Sequence, residues 1–452
     1  MQKKKLLAGA AVVMSFGLIA AGCGDDKSSD TTTTTKAGDK AMSDASPLMG
    51  MRGTTPFGKL TSDFQTRLTA IDPELLDFNY APESYDAVII TALATIAAKS
   101  DGIDAAKLIN GITRTGTKCK DFKSCKALLD AGTMDIDYET VSTQDDFSGN
   151  GQPTKASYGI FKFTDKGVQC EKGPKLKACI DPSTADFVNV EVPKAEDVPE
   201  VPVVGTRAGD GVFTVGTLLP KTGSLAFLGP PEFAGVKLAI KDINDAGGVL
   251  GKPAVYEEGD SGDTENKVAP TTVNTLLGKN VDVIIGAASS SVTLSVIDTV
   301  VNAGVTMFSP ANTSTKLSTY ADKGLYFRTA PADVLQGQVL GNAMIKAGAK
   351  KVFILALNDD YGTGLAKDLK KTLDEGGSSA SDPKIYDPKA ADFSAEVKAA
   401  KDSGADNIAL IGFEESSKIL AKMVEQGIKL NTVWGVDGNM GNGLSKDFQA
   451  GK

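Results

Sequence analysis

Short apolar runs alternate with longer segments of helical periodicity from residue 211 onward. Because this alternation is typical of βα units on a parallel sheet, it predicts a doubly wound α/β lobe over residues 209–331. The predicted strands of this first series are 212–219, 254–258, 281–285 and 305–308, and the predicted helices are 233–246, 265–277 and 292–303.

A second series of the same kind predicts another lobe over residues 332–452. Its predicted helices are 335–347, 364–375, 393–403 and 416–426, and its predicted strands are 351–357, 384–386, 407–411 and 432–436. This series stops soon after a strand, so its sheet lacks the elements that would complete it. We therefore expect those elements elsewhere in the chain.

The front part of the chain, residues 51–193, has a less regular pattern. It predicts helices at 84–98 and 104–112, and an alternating strand at 157–163. Residues 194–208 are rich in Pro, Val and Glu and predict a linker to the first series. Length also favours two lobes, because roughly 400 residues exceed the usual size of one hydrophobic core.

The first 22 residues predict a secretory signal peptide. Three lysines, Lys3 to Lys5, precede an apolar run of about 16 residues, which is shorter than the roughly 20 that cross a bilayer as a helix. The small residues before Cys23 resemble the lipobox of bacterial lipoproteins. That resemblance implies lipidation of Cys23 and an anchor on the outer face of the bacterial cell membrane or in the periplasm. An ordinary signal peptide that contains a cysteine is the alternative.

Residues 23–50 contain the lipidated cysteine and a polar stretch rich in Asp, Ser and Thr, which predicts a disordered tether. The other four cysteines favour two local disulfides, since Cys119 and Cys125 lie close in sequence, as do Cys170 and Cys179. Four cysteines permit three pairings, and the sequence does not choose among them. A zinc site is the competing interpretation, but it lacks a CxxC spacing and any histidine.

Composition excludes several classes of function. With no histidine, the chain cannot contain a Ser-His-Asp or Cys-His nucleophile or a histidine metal site. The formal net charge of -9, without a basic cluster after the signal peptide, argues against nucleic-acid binding. We expect no metal, no cofactor and no enzymatic activity.

Several runs of residues carry a family resemblance. The main ones are INDAGGVLGKP at 243–253, VIIGAASSS at 283–291 and FSPANT at 308–313, followed by FRTAP at 327–331 and DYGTG at 360–364. In this order and spacing they resemble the leucine/isoleucine/valine-binding proteins of ABC transporters. The resemblance implies a type I periplasmic binding protein fold, with two doubly wound parallel-sheet lobes joined by a hinge.

The order of the family segments is broken in this chain. Family members continue past the equivalent of residues 434–442 into a helix that contains Tyr-Asp-Ala and then a final strand. Here that continuation lies in front, with Tyr-Asp-Ala at residues 85–87 and the strand near 157–163. The chain therefore resembles a circular permutant whose old ends are joined by the linker 194–208. The alternative is an unrelated front domain before a truncated binding protein.

The candidate ligand site lies at the carboxyl ends of strands, where helix N-termini offer unpaired backbone N–H groups. Ser289 and Ser290 follow the predicted strand 281–285, and their hydroxyls suit a carboxylate. By resemblance, Ser290, Ala311 and Thr313 match the family's carboxylate-binding positions. The alternative is that these serines only cap a helix.

The same resemblance assigns residues of the second lobe. Asp437 corresponds to the acidic residue that holds the ligand's ammonium group, and Tyr361 matches a tyrosine that closes over the ligand. Phe413 lies where another aromatic is common, although aromatic residues also serve in plain packing. Leu228 occupies a position where branched-chain binders have an aromatic, which leaves the side-chain specificity open.

The resulting hypothesis is a lipid-anchored solute receptor that closes about its hinge on an amino-acid-like ligand and delivers this ligand to an ABC transporter permease. The ligand would be a branched-chain amino acid, an amide or a carboxylate. A second hypothesis is a ligand-sensing module of the same fold. A third, an anchored hydrolase, is left with serine–lysine or paired-carboxylate chemistry, for which no suitable motif is present.

Overall fold

The computed structural model describes residues 46–166, 170, 177–191 and 198–448. In this part of the chain the strands are β1 Arg52–Pro56, β2 Thr117–Cys119, β3 Ile136–Tyr138, β4 Asp145–Phe147, β5 Pro153–Thr164, β6 Cys179–Ile180, β7 Asp186–Glu191, β8 Thr214–Leu218, β9 Val255–Glu257, β10 Val283–Gly286, β11 Thr306–Ser309, β12 Tyr326–Arg328, β13 Lys351–Leu357, β14 Ser379–Ala380, β15 Lys384–Tyr386, β16 Asn407–Ile411 and β17 Val433–Gly435. The predicted signal peptide, Cys23 and most of the predicted tether lie outside the described residues.

The α-helices of the described residues are α1 Ser62–Ile71, α2 Ala81–Ala98, α3 Phe122–Asp130, α4 Gly229–Asp245, α5 Ala269–Gly278, α6 Ser290–Asn302, α7 Asp333–Lys346, α8 Asp360–Glu375, α9 Ser394–Asp402 and α10 Ser416–Glu425. Short 3-10 helices lie at Ala106–Thr113, Pro182–Thr184, Leu317–Thr319, Leu430–Thr432 and Asn442–Phe448. None of the described helices is both long enough and apolar enough to cross a membrane.

The first lobe is built on five parallel strands in the spatial order β12-β11-β10-β8-β9. Its central strands are continuous apolar runs because helices cover both faces of the sheet. All four residues of β10 are buried, for example. The apolar side chains of this sheet, of α4 to α6 and of α1 to α3 form one hydrophobic core. The first series thus forms this parallel α/β sheet, and helices from the front of the chain complete its core.

The second lobe is built on a ten-stranded sheet whose main path is β14-β13-β16-β17-β1-β5-β4. Strand β15 pairs with β13, and β6 and β7 pair with β5. The prediction of parallel sheets is correct for β13 to β17 and for β1. Strands β4 to β7 add an antiparallel part to this sheet, and of these β4 and β5 are joined by a short loop that returns the chain along the sheet.

Strand β1 lies between two strands that are far from each other in sequence. It runs parallel to β17, with Arg52 opposite Trp434 and Gly53 opposite Gly435, and antiparallel to β5. Leu48 and Met51, beside this strand, are fully buried in the core of the second lobe. The front of the chain thus supplies the strands that the second series lacks.

Four segments of the described chain connect the lobes: the turn after β1, the stretch between β3 and β4, the stretch between β7 and β8, and residues 329–332. The third contains the predicted linker, whose residues 198–208 lack regular secondary structure. Arg207 fixes its end to the first lobe through Asp282, 2.8 Å away. The backbone N–H of Val201 also donates to the carbonyl of Gly149, in the loop between β4 and β5, at 2.8 Å.

Two local disulfides are present, Cys119–Cys125 in the first lobe and Cys170–Cys179 in the second. The prediction of local disulfides is confirmed, and the structure selects this pairing among the three that the sequence permits. Cys125 and Cys179 are fully buried. Each bridge ties a short segment of the front part to the lobe on which it packs.

Several predicted helices begin a few residues from their predicted starts; those predicted over 233–246 and 364–375 begin at 229 and 360. Two further differences have a visible cause. The segment 104–112 forms a 3-10 helix, Ala106–Thr113, whose ends are fixed by hydrogen bonds to distant segments. The backbone N–H of Ile103 donates to the carbonyl of Arg207, and the side-chain Nε of Arg114 donates to the carbonyl of Phe147. The helix predicted from residue 265 begins at 269. Before it, the Asp263 side chain accepts from the backbone of residues 265 and 266 and holds a turn in place of the first helical residues.

Candidate functional site

A small cavity lies between the lobes, and every ligand residue predicted from the sequence lines it. Its volume is about 20 Å³. The predicted residues on its wall are Leu228, Ser289, Ser290, Ala311, Thr313, Tyr361, Phe413 and Asp437. The structure adds Tyr80, Leu225, Ala288 and Gly438, which the sequence did not predict. The site is therefore assembled from loops of both lobes.

The first-lobe wall is the start of helix α6. Ser289 is the N-cap residue of this helix, and its hydroxyl accepts from the backbone N–H of Val292 at 3.4 Å. The interpretation of these serines as helix caps is thus correct for Ser289. The hydroxyl of Ser290 accepts from the backbone N–H of Ser314 at 3.3 Å. Both hydroxyls remain able to donate a hydrogen bond into the cavity.

The loop that carries Ala311 and Thr313 is held against this wall by two buried side chains. Ser309 accepts from the backbone N–H groups of Ala311 and Asn312, at 3.2 and 2.9 Å, and donates to the carbonyl of Ala287. The side-chain amide of Asn312 donates to the carbonyls of residues 287 and 288, both at 2.9 Å. These bonds fix the spacing between the Ser289–Ser290 wall and Thr313.

On the second-lobe side, Asp437 is buried and accepts two tyrosine hydroxyls. Tyr361 donates to one carboxylate oxygen and Tyr80 to the other, each at 2.5 Å. Burial raises the pKa of Asp437, and the bonds from Tyr361 and Tyr80 partly offset this rise. The ring of Tyr361 also stacks on Phe413, with ring centroids 5.4 Å apart. The two aromatics form a continuous wall over the cavity.

Tyr80 was missed because no local pattern marks it. It has a positive φ of 59° and immediately precedes helix α2, and its partner Asp437 is 357 positions away. The Tyr-Asp-Ala motif that follows has a structural role instead. Asp86 accepts from the hydroxyl of Tyr138 and from two backbone N–H groups, and Tyr85 donates to Asp242 at 2.7 Å.

Direct bonds between the lobes close the cavity. The backbone N–H of Asp360 donates to the hydroxyl of Ser291, and the hydroxyl of Ser314 donates to the carbonyl of Asp360, both at 3.1 Å. Two ion pairs, Lys316–Asp360 and Lys389–Glu265, also join the lobes. A water molecule needs about 10–15 Å³ of such space, so a larger solute can enter only when these contacts part.

Outside the closed cavity the lobes leave a wider cleft of about 1210 Å³, which shares Ser289 and Phe413 with the cavity. Its acidic lining residues are Asp263, Glu265, Asp359, Asp387, Glu414 and Glu415, and its basic ones are Lys389 and Lys418. Burial raises the pKa of Asp359 to about 6, and its acidic neighbours Asp360 and Glu415 contribute to the rise. The approach to the site thus carries an excess of acidic side chains.

The sequence profile of the family described as periplasmic binding protein matches residues 212–449, which is more than half of the chain. The chain belongs to this family. The periplasmic binding protein family was expected from the sequence, and both the family and the α/β fold are confirmed. The matched region covers the whole predicted first series and nearly all of the second.

Named relatives of the chain within the periplasmic binding protein family agree with this assignment. The Leu/Ile/Val-binding protein homolog 3 of Brucella melitensis is 26% identical over 243 residues, which cover 51% of this chain and 66% of the relative. The Leu/Ile/Val-binding protein homolog 2 of Brucella abortus is 32% identical over 247 residues, which cover 53% and 64%. The chain thus spans slightly less than two thirds of the length of these curated relatives.

Among solved structures, the chain is similar to the branched-chain amino acid transporter substrate binding protein LivJ from Streptococcus pneumoniae in complex with isoleucine. The identity is 28%, the match covers 50% of this chain and 64% of that one, and the TM-score is 0.45.

Proposed function

We propose that the protein is the extracytoplasmic solute-binding component of an ABC importer and binds a small amino-acid-like ligand between its lobes. One observation carries this proposal: the eight residues chosen from the sequence line a single small cavity at the lobe interface. Binding rather than catalysis fits the lining, because the cavity wall holds hydroxyls, backbone groups and one acid without a paired nucleophile and base.

The chemistry of the two walls fits an α-amino acid. The hydroxyls of Ser290 and Thr313 and the N-terminus of helix α6 offer donors and a partial positive charge for a carboxylate. Asp437 on the opposite wall offers a charge-assisted acceptor for an ammonium group. The names of the relatives point to branched-chain amino acids. Leu228, in place of an aromatic, leaves amides and simple carboxylates as further candidates.

Hinge closure is the proposed mechanism. A ligand would bind first to the rigid Ser290–Thr313 wall, and the second lobe would then bring Tyr361 and Asp437 over it. The contacts of Asp360 with Ser291 and Ser314 would hold the closed form, which the permease recognises. Lipidation of Cys23 would keep the protein at the outer face of the membrane, close to that permease.

We also propose that the chain is circularly permuted relative to its family. Strand β1, from the front of the chain, lies parallel to β17 with Gly53 opposite Gly435, where the continuation of the family order is expected. Residues 51–193 contribute to both lobes, and the linker 194–208 leads from the second lobe to the first. An independent front domain is disfavoured by this shared sheet.

A ligand screen tests the proposed function. The full chain, kept in mild detergent, is heated with each standard L-amino acid, their amides and a set of small carboxylates. A ligand present at one hundred times its dissociation constant stabilises the folded state by about 2.7 kcal/mol, which shifts the unfolding temperature measurably. If none of these solutes shifts the transition, the proposed function is wrong.

A further inference from the structure

A second, apolar pocket lies beside the ligand cavity and shares a wall with it. Its volume is about 210 Å³, whereas that of the cavity is about 20 Å³. Phe413 lines both spaces. Leu228 and Gly438 line the cavity, and the residues next to them in sequence, Phe227 and Asn439, line the pocket. The pocket is therefore within reach of a solute that is held in the cavity.

Both lobes build this pocket. Phe227 lies in the loop between β8 and α4 of the first lobe, and it packs against the hydrophobic core of the second lobe. Its ring covers the backbone at Gly441, because a β carbon at that position would lie 3.1 Å from the ring. Phe413 and Leu444 belong to the second lobe. Closure of the lobes thus brings an aromatic ring from each of them to the same pocket.

The lining of the pocket favours apolar contact over polar recognition. The side-chain amide of Asn439 is bonded within its own lobe: it donates to the carbonyl of Leu410 and to the hydroxyl of Ser416, and it accepts from the backbone N–H of Val436. Glu414, the charged residue of the lining, is exposed. A group that enters the pocket is therefore selected by its shape and apolar surface.

The side chain of an α-amino acid has two ways out of the small cavity. If Ser290 and Thr313 hold the carboxylate and Asp437 holds the ammonium group, only the side chain remains to be placed. One way leads to the wide cleft, whose lining includes Asp359 and Lys418. The other leads past Phe413 to the apolar pocket. An apolar side chain gains free energy from burial in the pocket but not beside the charges of the cleft.

The size of the pocket favours an aromatic ring over a branched aliphatic chain. An apolar cavity of about 150 Å³ accommodates benzene. The pocket, at about 210 Å³, therefore has room for a phenyl ring. A smaller aliphatic group would leave part of the volume empty and would forgo contacts with the lining. Phe227 and Phe413 also offer the edge-to-face or offset stacking that pairs of aromatic rings prefer.

We propose that this pocket is the side-chain subsite of the ligand site and takes an aromatic ring, so that the solute is an aromatic amino acid. The inference rests on the proposed function and deepens it, because it names the class of side chain. Phe227 and Phe413 contact the ring. Gly443 keeps the pocket open: it also lines the pocket, and a β carbon there would lie 3.5 Å from the β carbon of Phe227, at ordinary contact distance. A leucine at position 443 would occupy the space of the ring.

Calorimetry with three matched probes tests this inference. L-Phenylalanine, L-leucine and L-alanine have the same carboxylate and ammonium groups and differ only in the side chain. We expect the full chain to bind phenylalanine more tightly than leucine, and about 10- to 100-fold more tightly than alanine, as for the burial of one large apolar side chain. Gly443→Leu should weaken phenylalanine at least about 10-fold and leave alanine unchanged.

Phe227→Ala provides a second measurement, which also serves if Gly443→Leu fails to fold. It removes one aromatic wall of the pocket and should weaken phenylalanine more than alanine. If Phe227 only supports lobe closure, both solutes should weaken equally, which would contradict the subsite.

The matched control is Gly111→Leu. Gly111 also lies in a 3-10 helix, Ala106–Thr113, but it is exposed, and a β carbon there would have no neighbour within 4 Å. This variant introduces the same side chain away from the ligand site. It should therefore keep the wild-type affinity for all three probes.

The possible failures are distinguishable. If the wild type binds another solute of the screen at least as tightly as the aromatic amino acids, the subsite is wrong and the proposed function stands. The same conclusion follows if Gly443→Leu and Phe227→Ala leave the affinity for phenylalanine unchanged. If the wild type binds no solute of the screen, the proposed function and the subsite are both wrong.

Discussion

The hydroxyl of Tyr80 donates to a carboxylate oxygen of Asp437 over 2.5 Å, although 357 positions separate the two residues in sequence. Tyr80 is 2% exposed and Asp437 3% exposed, so water does not compete for this bond. It joins the residue that begins helix α2 to the loop after strand β17. The front of the chain therefore shapes the candidate ligand site as well as the two sheets.

Removal of the Tyr80 hydroxyl should destabilise the protein measurably. In Tyr80→Phe the buried Asp437 loses one of its two tyrosine donors, and we expect the free energy of unfolding to fall by about 1–3 kcal/mol. Urea denaturation measures this change. The control is Tyr320→Phe, which removes a hydroxyl that donates to Asp298 near the surface and should cost less than about 0.5 kcal/mol. Equal losses in the two variants would contradict the role of Tyr80.

Asp437→Asn should discriminate between ligand classes. If Asp437 holds an ammonium group, the variant should bind an amino acid about 10- to 100-fold more weakly, because it loses a charge-assisted bond of about 1.5–3 kcal/mol. A simple carboxylate such as benzoate should lose far less. Isothermal titration of both solutes measures the difference. Equal losses for both solutes would show that Asp437 only supports Tyr80 and Tyr361.

Stability should fall as pH rises through 6, partly because of Asp359. Burial raises the pKa of Asp359 from its ordinary value of 3.8 to about 6. Between these two pH values the folded state retains a proton that the unfolded state has lost. The resulting contribution of Asp359 to the free energy of unfolding is complete below pH about 4 and disappears above pH about 6. Asn is also a good N-cap residue, so Asp359→Asn should keep the cap of helix α8. In this variant the fall in the free energy of unfolding with rising pH should be smaller by on the order of 1–2 kcal/mol. Denaturation at pH 4.5 and 7.5 measures it.

Glu258→Gln is the control for that experiment. Lys221, Lys237 and Tyr256 hold the pKa of Glu258 down to about 2, against the effect of its partial burial. The stabilisation it gives is present above pH about 4 and is lost only as pH falls toward 2. This variant should therefore leave the dependence between pH 4.5 and 7.5 unchanged. A flattened dependence in Glu258→Gln would show that the measurement does not isolate Asp359.

A rearranged chain tests the proposed permutation. In the structure Gly50 donates to the carbonyl of Phe163, which pairs with Ile180, whose N–H in turn donates to Asn442. Gly50 and Asn442 are therefore separated by three such contacts, a path of roughly 15 Å. A chain that runs from residue 209 to 452, continues through a short glycine-rich loop into residue 46 and ends at 191 should fold and bind the same solute. Aggregation with loss of the circular dichroism of both lobes would contradict the permutation.

The sequence predicted the regular elements of the βα series well because their apolar periodicity reflects burial within each lobe. Strands β13, β15 and β16 have the predicted bounds, and helix α10 differs by one residue at its end. Predictions failed where distant contacts override local pattern. The segment 104–112 is held as a 3-10 helix by bonds to Arg207 and Phe147, and a turn around Asp263 delays the start of α5.

The cavity wall shows the same division. Ser290, Thr313 and Asp437 could be found because each follows a strand and sits in a familiar run of residues. Tyr80 could not, because its surroundings come from other parts of the chain. Tyr80 depends on Asp437, which is 357 positions away in sequence. A pattern of apolar residues contains no information on such partners.

The pairing of β1 with β17 also determines when the protein can fold. The ribosome makes β1 and β5 early and β17 near the end, so the exposed edge of β1 must wait for most of the chain to be synthesised. Pairings over such long sequence separations form slowly, and unpaired strand edges promote aggregation. The second lobe is thus expected to depend on chaperones that shield this edge, whereas the five-stranded sheet of the first lobe, whose strands follow one another along the chain, can assemble sooner.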